Sequence, residues 1–211
     1  MTSLPDYIKT PEGESEFRTK EKGSTFISLT KGIETEEEAN SYLQSVKKKY
    51  YDATHHCYSY KLVNSLYKYS DAGEPNGTAG IRIYNAQNHY ELTNLITIIV
   101  RYFGGVKLGV GPLGKAYYEA ASENLATTKI LKKLLHHEMI ISYGYEESKT
   151  VHRFITKHSI IIRETLFNEV PKMICLVPST QKSKLLSDIS TLITRIQVIE
   201  TKNSEYIVRN D

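Results

Sequence analysis

The most informative part of the sequence is LITIIVRYFGGVKLGVGPLGKAYYEAA, residues 95–121. It begins with the apolar, β-branched run Leu95–Phe103, which predicts a buried strand. Residues 104–111 hold four glycines, and Pro112 then opens a helical pattern that extends to about Thr127. Because Gly has no Cβ, this strand, loop and helix predict a place where something approaches the backbone closely.

A second turn-rich stretch, SDAGEPNGTAG, occupies residues 70–80. Nearly every residue in it favours a turn. Asp71 and Glu74 are candidates for acid–base work, for capping turns and helix starts, or for holding Arg101. We expect the two stretches to fold together and to line one concave patch.

Length and composition indicate an ordinary globular protein. A chain of 211 residues fits one large domain or two small ones. The net charge of +3 is a mild excess and does not indicate the clustered cations of a nucleic-acid footprint. No apolar run reaches the roughly 20 residues of a membrane helix, and the first residues lack a signal segment. Two distant cysteines, Cys57 and Cys175, show no disulfide spacing. We predict a cytoplasmic protein without membrane contact.

Tyrosine is unusually frequent, with 16 residues in a chain that has no Trp. Six of them fall between residues 50 and 69. Tyr fits a half-buried sheet well, and it also forms stacking surfaces for nucleic-acid bases. The sheet is the interpretation that we favour.

Residues 109–116 come within one residue of a P-loop, with a strand before and a helix after. Alanine stands where that motif needs a hydroxyl for magnesium, and a proline removes one amide donor, so ATP hydrolysis is disfavoured. Free amides at a helix N-terminus bind anions, and Arg101, Lys107 and Lys115 lie near in sequence. Phosphate binding without hydrolysis therefore stands beside a purely packing role for the glycines.

A metal site is the second alternative. In a strand, His55 and Cys57 share a face, while His56 points the other way. Zinc needs three or four ligands. The others would come from elsewhere in the chain: Asp71, Glu74 or His89. The usual paired ligand spacings are missing, which favours a buried polar strand, so we predict no metal and no cofactor.

The first half of the chain reads as an irregular lead-in followed by alternating elements. Thr35 and Glu38 form a capping box at the start of a helix, and Thr78 is expected to cap a short helix. The predicted elements are strand 24–29, helix 36–50, strands 53–62 and 66–69, and helix 81–88.

Lys129–Lys133 is a predicted join between two domains. After it, the patterns predict strands at 139–143, 160–167 and 170–177, helices at 147–158 and 182–192, and a last, split strand at 195–199 and 206–208. The order βαββαβ is that of a ferredoxin-like sandwich.

Three stretches resemble the IMPACT family, and in particular its bacterial, YigZ-type branch. They are ATHHC at 53–57, the whole of 70–80, and VRYFGGVKLG at 100–109, and the match continues at Leu113, Lys115, Ala116 and Tyr117. The resemblance covers about residues 15–130.

The resemblance implies an α+β protein with two domains. The N-terminal one, 1–133, would have the fold of a ribosomal-protein second domain, and the C-terminal one, 138–211, would be ferredoxin-like and similar to a domain of elongation factor G. Eukaryotic relatives act in translational control, through the kinase pathway that senses amino-acid shortage.

Four positions depart from the usual pattern of this family. Ala72 replaces Asp, Asn76 replaces Ser, Pro112 replaces Gly and Lys115 replaces Arg. Lys115 keeps the charge but loses a forked donor.

We therefore expect a regulatory binding protein linked to translation, with RNA, the ribosome or a translation-related protein as partner, or a phosphate-like anion. Catalysis is disfavoured because no nucleophile, base and orienting group form a set, and no catalytic residue is assigned. The alternative is an enzyme: a kinase-like protein for phosphorylated small molecules, by fold analogy with galactokinase-type kinases, or a metal hydrolase on His55, His56 and Glu74. The predicted binding residues are His55, His56, Asp71, Gly73, Glu74, Gly77, Thr78, Arg101, Gly104, Gly105, Lys107, Gly109, Gly111 and Lys115.

Overall fold

The structure is a computed structural model that describes residues 4–167, 169–191 and 195–208. Within these ranges the chain forms ten strands, five α-helices and one short 3-10 helix. Two compact units can be distinguished: residues 9–132 form one, and the described parts of 1–8 and 133–211 form the other.

The first unit is built on a five-stranded sheet whose strand order is β2-β3-β6-β4-β5. Its elements are β2 (Glu14–Glu21), β3 (Ser24–Gly32), α1 (Glu36–Lys49), β4 (His55–Lys61), β5 (Tyr67–Ser70), α2 (Gly80–His89), β6 (Leu95–Tyr102) and α3 (Val110–Thr127). All neighbouring strands in it are antiparallel. Helix α1 covers one face of the sheet, and α2 and α3 cover the other.

The central strand β6 is apolar except at two buried polar positions, because helices cover both of its faces. Leu95 and Ile99 pack with α2 and α3, whereas Ile96, Ile98 and Val100 pack with α1. All five side chains are fully buried, and each contributes roughly 1.5–3 kcal/mol of transfer free energy. The predicted run from residue 95 onward thus forms the middle of the sheet.

Helix α1 begins with the predicted cap. The Thr35 hydroxyl accepts a hydrogen bond from the Glu38 amide at 3.2 Å. The Glu38 carboxylate accepts from the Glu34 amide at 2.7 Å, so the return bond goes one residue further back than in a standard capping box. Lys47–Lys49 occupy the last turn, where positive charge suits the helix dipole.

The second unit has the ferredoxin-like arrangement that the sequence predicted. Its elements are β1 (Tyr7–Pro11), β7 (Ile130–Ser142), the 3-10 turn Tyr145–Glu147, α4 (Ser148–Lys157), β8 (Ile161–Leu166), β9 (Lys172–Pro178), α5 (Ser179–Ser190) and β10 (Gln197–Val208). Strands β1 and β7 extend across the boundaries of the compact units. β9 lies between β7 and β8, β10 pairs with β7, and these pairs are antiparallel. Val151 of α4 and Leu185 of α5 pack on the strand residues Met139, Ile141 and Cys175.

The prediction of an irregular lead-in was wrong, because residues 7–11 and 14–21 form β1 and β2. β2 is a polar edge strand that pairs with β3 along its whole length. Charged side chains are typical of such edges, so the strand carries no apolar pattern that sequence reasoning could detect.

Two further predictions differ in detail. The expected join at 129–133 lies mostly in the strand β7, and the last strand is continuous, with a register shift between Glu200 and Ser204 where the split was predicted. Leu192, the expected end of the last helix, lies outside the described residues. The division into domains 1–133 and 138–211 stays a prediction. Across the described ranges, we find no helix with the length and hydropathy that a bilayer crossing requires.

Candidate functional site

The loop at residues 70–80 is organised around the Asp71 carboxylate. Oδ1 accepts from the amides of Ala79 at 2.9 Å and Gly80 at 2.8 Å, and Oδ2 accepts from the Gly77 amide at 2.9 Å. These bonds satisfy donors at the start of α2, which would otherwise be left open. Asp71 therefore acts as a remote cap of α2, and its carboxylate is fully engaged with the backbone.

The predicted cap at Thr78 was wrong. Its hydroxyl donates to the Pro75 carbonyl at 2.6 Å, and the residue at the N-cap of α2 is Ala79, whose side chain makes no cap hydrogen bond. The reason is that the Asp71 carboxylate already occupies the position that a capping hydroxyl would take.

Glu74 and Arg101 form a buried ion pair that joins the loop to the central strand. Arg101 Nη1 donates to Glu74 Oε1 at 2.6 Å, and the Tyr117 hydroxyl donates to the same oxygen at 2.8 Å. Arg101 Nη2 donates to Ser24 Oγ at 3.1 Å, and the guanidinium lies over the Phe26 ring. The two charged side chains are only 4% and 5% exposed, so each depends on the other for its charge to be tolerated.

His55 and Cys57 lie beside this ion pair, on the same face of β4. His55 Nδ1 bonds the Ala72 carbonyl at 2.9 Å, and its Nε2 lies 3.8 Å from Glu74 Oε2. The Cys57 thiol faces the Asp71 carbonyl at 3.0 Å. Burial raises the pKa of this thiol to about 12, so Cys57 is a hydrogen-bonding core residue rather than a nucleophile.

His56 does not join this cluster. As the strand alternation predicted, it lies on the other face, where its Nε2 bonds the Tyr50 carbonyl at 3.0 Å. Burial lowers the pKa of His56. Residues His55, His56 and Glu74 thus do not converge on one point, and over the described ranges no group of three metal-capable side chains comes together.

The glycine-rich loop contacts β3 through backbone. An added Cβ on Gly104 would lie 2.0 Å from the carbonyl carbon of Gly23, so only glycine fits there. Gly105 and Gly109 have φ of +87°, which allows the chain to turn into α3. Buried Leu108 anchors the loop to the core.

A groove of about 350 Å³ lies between α2 and the first turns of α3. Its lining residues are Arg82, Asn85, Gly111, Gly114, Lys115 and Tyr118. Arg82 Nε donates to the Gly77 carbonyl at 3.2 Å, so one edge of the guanidinium is anchored to the loop. An added Cβ on Gly114 would lie 3.2 Å from the same Nε, which means that this glycine lets Arg82 lie close to α3.

The two stretches singled out from the sequence are therefore brought together at two points. Glu74 meets Arg101 inside the unit, and Arg82 connects Gly77 with the start of α3 at its surface. Other predicted residues lie in different environments. Gly73 lies close to the His55 ring, whereas the side chains of Lys107 and Lys115 are exposed to solvent.

Arg82 is the groove residue that sequence reasoning missed. Arg82 lies in the first turn of α2, directly after the glycine-containing loop, so its guanidinium is close to any ligand bound at that loop. Tyr117 was noted only as part of the family resemblance. Tyr117 follows Leu113 by four residues, so both side chains lie on one face of the helix, and this spacing predicts that Tyr117 is buried. It does not predict the hydrogen bond to Glu74. Burial raises the pKa of its hydroxyl well above the ordinary value, so it serves as a hydrogen-bond donor.

Comparison with known proteins shows the family of this chain and its fold. Residues 22–125 match the Impact N-terminal domain. The chain is 31% identical to IMPACT family member YvyE of Bacillus subtilis, over 74% of this chain and 76% of that relative. It is 29% identical to IMPACT family member YigZ of Escherichia coli, over 60% and 64%. A crystal structure of a protein described as hypothetical shares the fold, with TM-score 0.67 and 22% identity over 95% of this chain and 100% of the other. The chain belongs to the IMPACT family.

Proposed function

We propose that this protein is a regulatory binding protein linked to translation, and that it takes a phosphate-bearing partner, RNA, on the groove between α2 and α3. The observation that supports the proposal most strongly is that Arg82 and Lys115 line the same groove, at the start of a helix whose glycines also line it. Phosphate oxygens are bound by this combination of forked cation, ammonium and free backbone amides.

The charge around the groove favours an anion. The first turn of α3 holds no acidic residue, and among the described residues no side chain caps its Gly109 N-cap. Lys115 is 74% exposed and only 3.5 Å from Glu119, an i,i+4 pair on the helix surface that an anionic ligand can outcompete. The groove is therefore electropositive and accessible.

The buried network supports binding rather than catalysis. Glu74 is committed to Arg101 and Tyr117, and Asp71 to three backbone amides. Three of the four carboxylate oxygens already accept hydrogen bonds, and the fourth, Glu74 Oε2, faces His55 inside the unit. Neither side chain therefore presents an oxygen to a proton of a surface ligand, as a general base must. In our proposal the network is a scaffold that keeps the loop 70–80 and the helix α3 in register.

A fluorescein-labelled oligouridylate and a matched RNA duplex, followed by fluorescence anisotropy, test the proposal. We expect binding of at least one of them to weaken steeply from about 50 to about 200 mM salt. The double variant Arg82→Met/Lys115→Met should reduce the salt slope by between one and two and weaken binding at least tenfold. Both side chains are at the surface, so folding should be unchanged.

The second unit supplies a matched control. A cavity of about 1040 Å³ beside α4 is lined by cations that include Lys149 and Arg153. Lys149→Met/Arg153→Met removes the same charge and should leave the affinity within twofold. Absence of RNA binding at low salt, or equal losses in both double variants, would contradict the groove as the site. Co-sedimentation with ribosomes, lost in Arg82→Met/Lys115→Met alone, tests the link to translation.

A further inference from the structure

Three tyrosines stack on one another at the edge of the first unit. Tyr67 and Tyr69 lie on β5, and Tyr84 lies on α2. The centroids of Tyr67 and Tyr84 are 4.8 Å apart with an interplanar angle of 28°, and those of Tyr67 and Tyr69 are 6.5 Å apart at 14°. We call these three residues the tyrosine platform.

The platform is not part of the core. Tyr67 is 51% exposed and Tyr69 43% exposed, whereas Tyr60 on the neighbouring strand is 1% exposed. Tyr60 is therefore a core residue of the sheet, whereas Tyr67 and Tyr69 are half-buried on its edge strand. In the described part of the chain β5 is the end strand of its sheet and pairs with β4, so the rings stand at a sheet edge. They pack on Tyr84 and keep about half of their surface exposed, and exposed apolar patches mark binding surfaces.

Positive charge adjoins the platform. Lys61 is the direct cross-strand partner of Tyr67, so their side chains share a face of the sheet. The Lys61 ammonium is held by Asn88 of α2 at 2.8 Å. Sites that bind single-stranded nucleic acid combine positive charge with aromatic rings.

Helix α2 connects the platform with the groove. Tyr84 lies two residues after Arg82, about 200° around the helix, so the two side chains occupy opposite flanks of its exposed surface, with Asn85 between them. A helix is about 10–12 Å wide with its side chains. A flexible strand that crosses α2 can therefore place phosphates at Arg82 and bases on the rings.

We propose, resting on the proposed function, that the tyrosine platform stacks bases of a single-stranded RNA segment whose phosphates occupy the groove. Every base has a face that stacks on Tyr, so the platform selects single strands without reading sequence. The bases of a duplex are already stacked and paired, so a duplex can use the groove but not the platform. The partner is single-stranded RNA.

The test compares an oligouridylate of about 12 nucleotides with an abasic strand of equal length and charge, and with a duplex. We expect the protein to bind the oligouridylate at least fivefold more tightly than the abasic strand. Tyr67→Ala/Tyr69→Ala should remove this preference and leave the salt slope unchanged. Tyr67→Phe/Tyr69→Phe should keep it, because the rings remain.

Tyr51→Ala is the matched control, since Tyr51 is 84% exposed and belongs to no ring pair of the platform; it should bind like the unmodified chain. Equal affinity for oligouridylate and abasic strand, or an unchanged preference in Tyr67→Ala/Tyr69→Ala, overturns the platform alone. No salt-dependent binding of any strand overturns the proposed function as well.

Discussion

Replacing Arg101 with Met should destabilise the first unit by about 3–5 kcal/mol, because it leaves the Glu74 carboxylate buried without a counter-charge. At the 2.6 Å separation of Nη1 and Oε1, the attraction is roughly 6 kcal/mol at an effective dielectric of 20. Burial of both ions offsets most of that energy. The ion pair therefore adds little net stability, while either charge alone is costly.

Amide hydrogen exchange along β6 measures this effect, because it reports the opening free energy of the unit that contains the pair. The control is Arg18→Met. Arg18 is 61% exposed in its bond to Glu16, so its loss should change stability by less than about 1 kcal/mol.

A double-mutant cycle with Glu74→Gln decides whether the pair is coupled. The combined variant should be less destabilised than the sum of the single variants, by on the order of 1–3 kcal/mol. Additive effects, or a loss of less than about 1 kcal/mol in Arg101→Met, would show that the two charges do not depend on each other.

Further predictions concern the cap, the loop contact and the buried thiol. Asp71→Asn places an amide against backbone donors and should cost about 1–2 kcal/mol in thermal unfolding; an unchanged Tm would exclude the remote cap. Gly104→Ala should cost about 3 kcal/mol or more because its Cβ would meet Gly23, whereas Gly111→Ala, with open space around it, should be neutral or stabilise by up to about 1 kcal/mol. Burial raises the folded pKa of Cys57 from 9.0 to about 12, so its contribution to stability is complete below pH 9 and is lost as pH rises toward 12. Urea unfolding between pH 9 and pH 12 should show that the free energy of unfolding falls less with pH in Cys57→Ala than in the unmodified chain. An equal fall in both proteins would argue against a raised pKa of Cys57.

The sequence predicted the elements whose patterns are local. The run Leu95–Val100 is apolar except at Thr97, which is typical of a strand buried on both faces, and it lies in β6. The glycine and proline signals predicted a helix that begins at Pro112, and α3 begins slightly earlier, at Val110. The ferredoxin-like order followed from helix and strand periods in the second half of the chain.

The sequence predicted only part of the geometry of the candidate site. Arg101 was predicted both as a binding residue and as a partner of Glu74. Alternation along β6 places it on the α2 and α3 face, where it pairs with Glu74. Arg82 and the tyrosine platform depend on how α2 packs between β5 and α3. Tyr84 lies 15 positions after Tyr69, and Gly114 lies 32 positions after Arg82, and no periodic pattern encodes contacts over such separations.

A heteronuclear NMR titration with the oligouridylate shows whether RNA binds in the groove. We expect the amide resonances of Gly111, Gly114 and Lys115 to shift first and to saturate together. Ser41 and Ser45 line a larger, acidic groove of about 680 Å³ beside α1, and the chemical shifts of their amides should not change. Shifts confined to α1 or α4, with the glycine amides unmoved, would contradict binding in the groove.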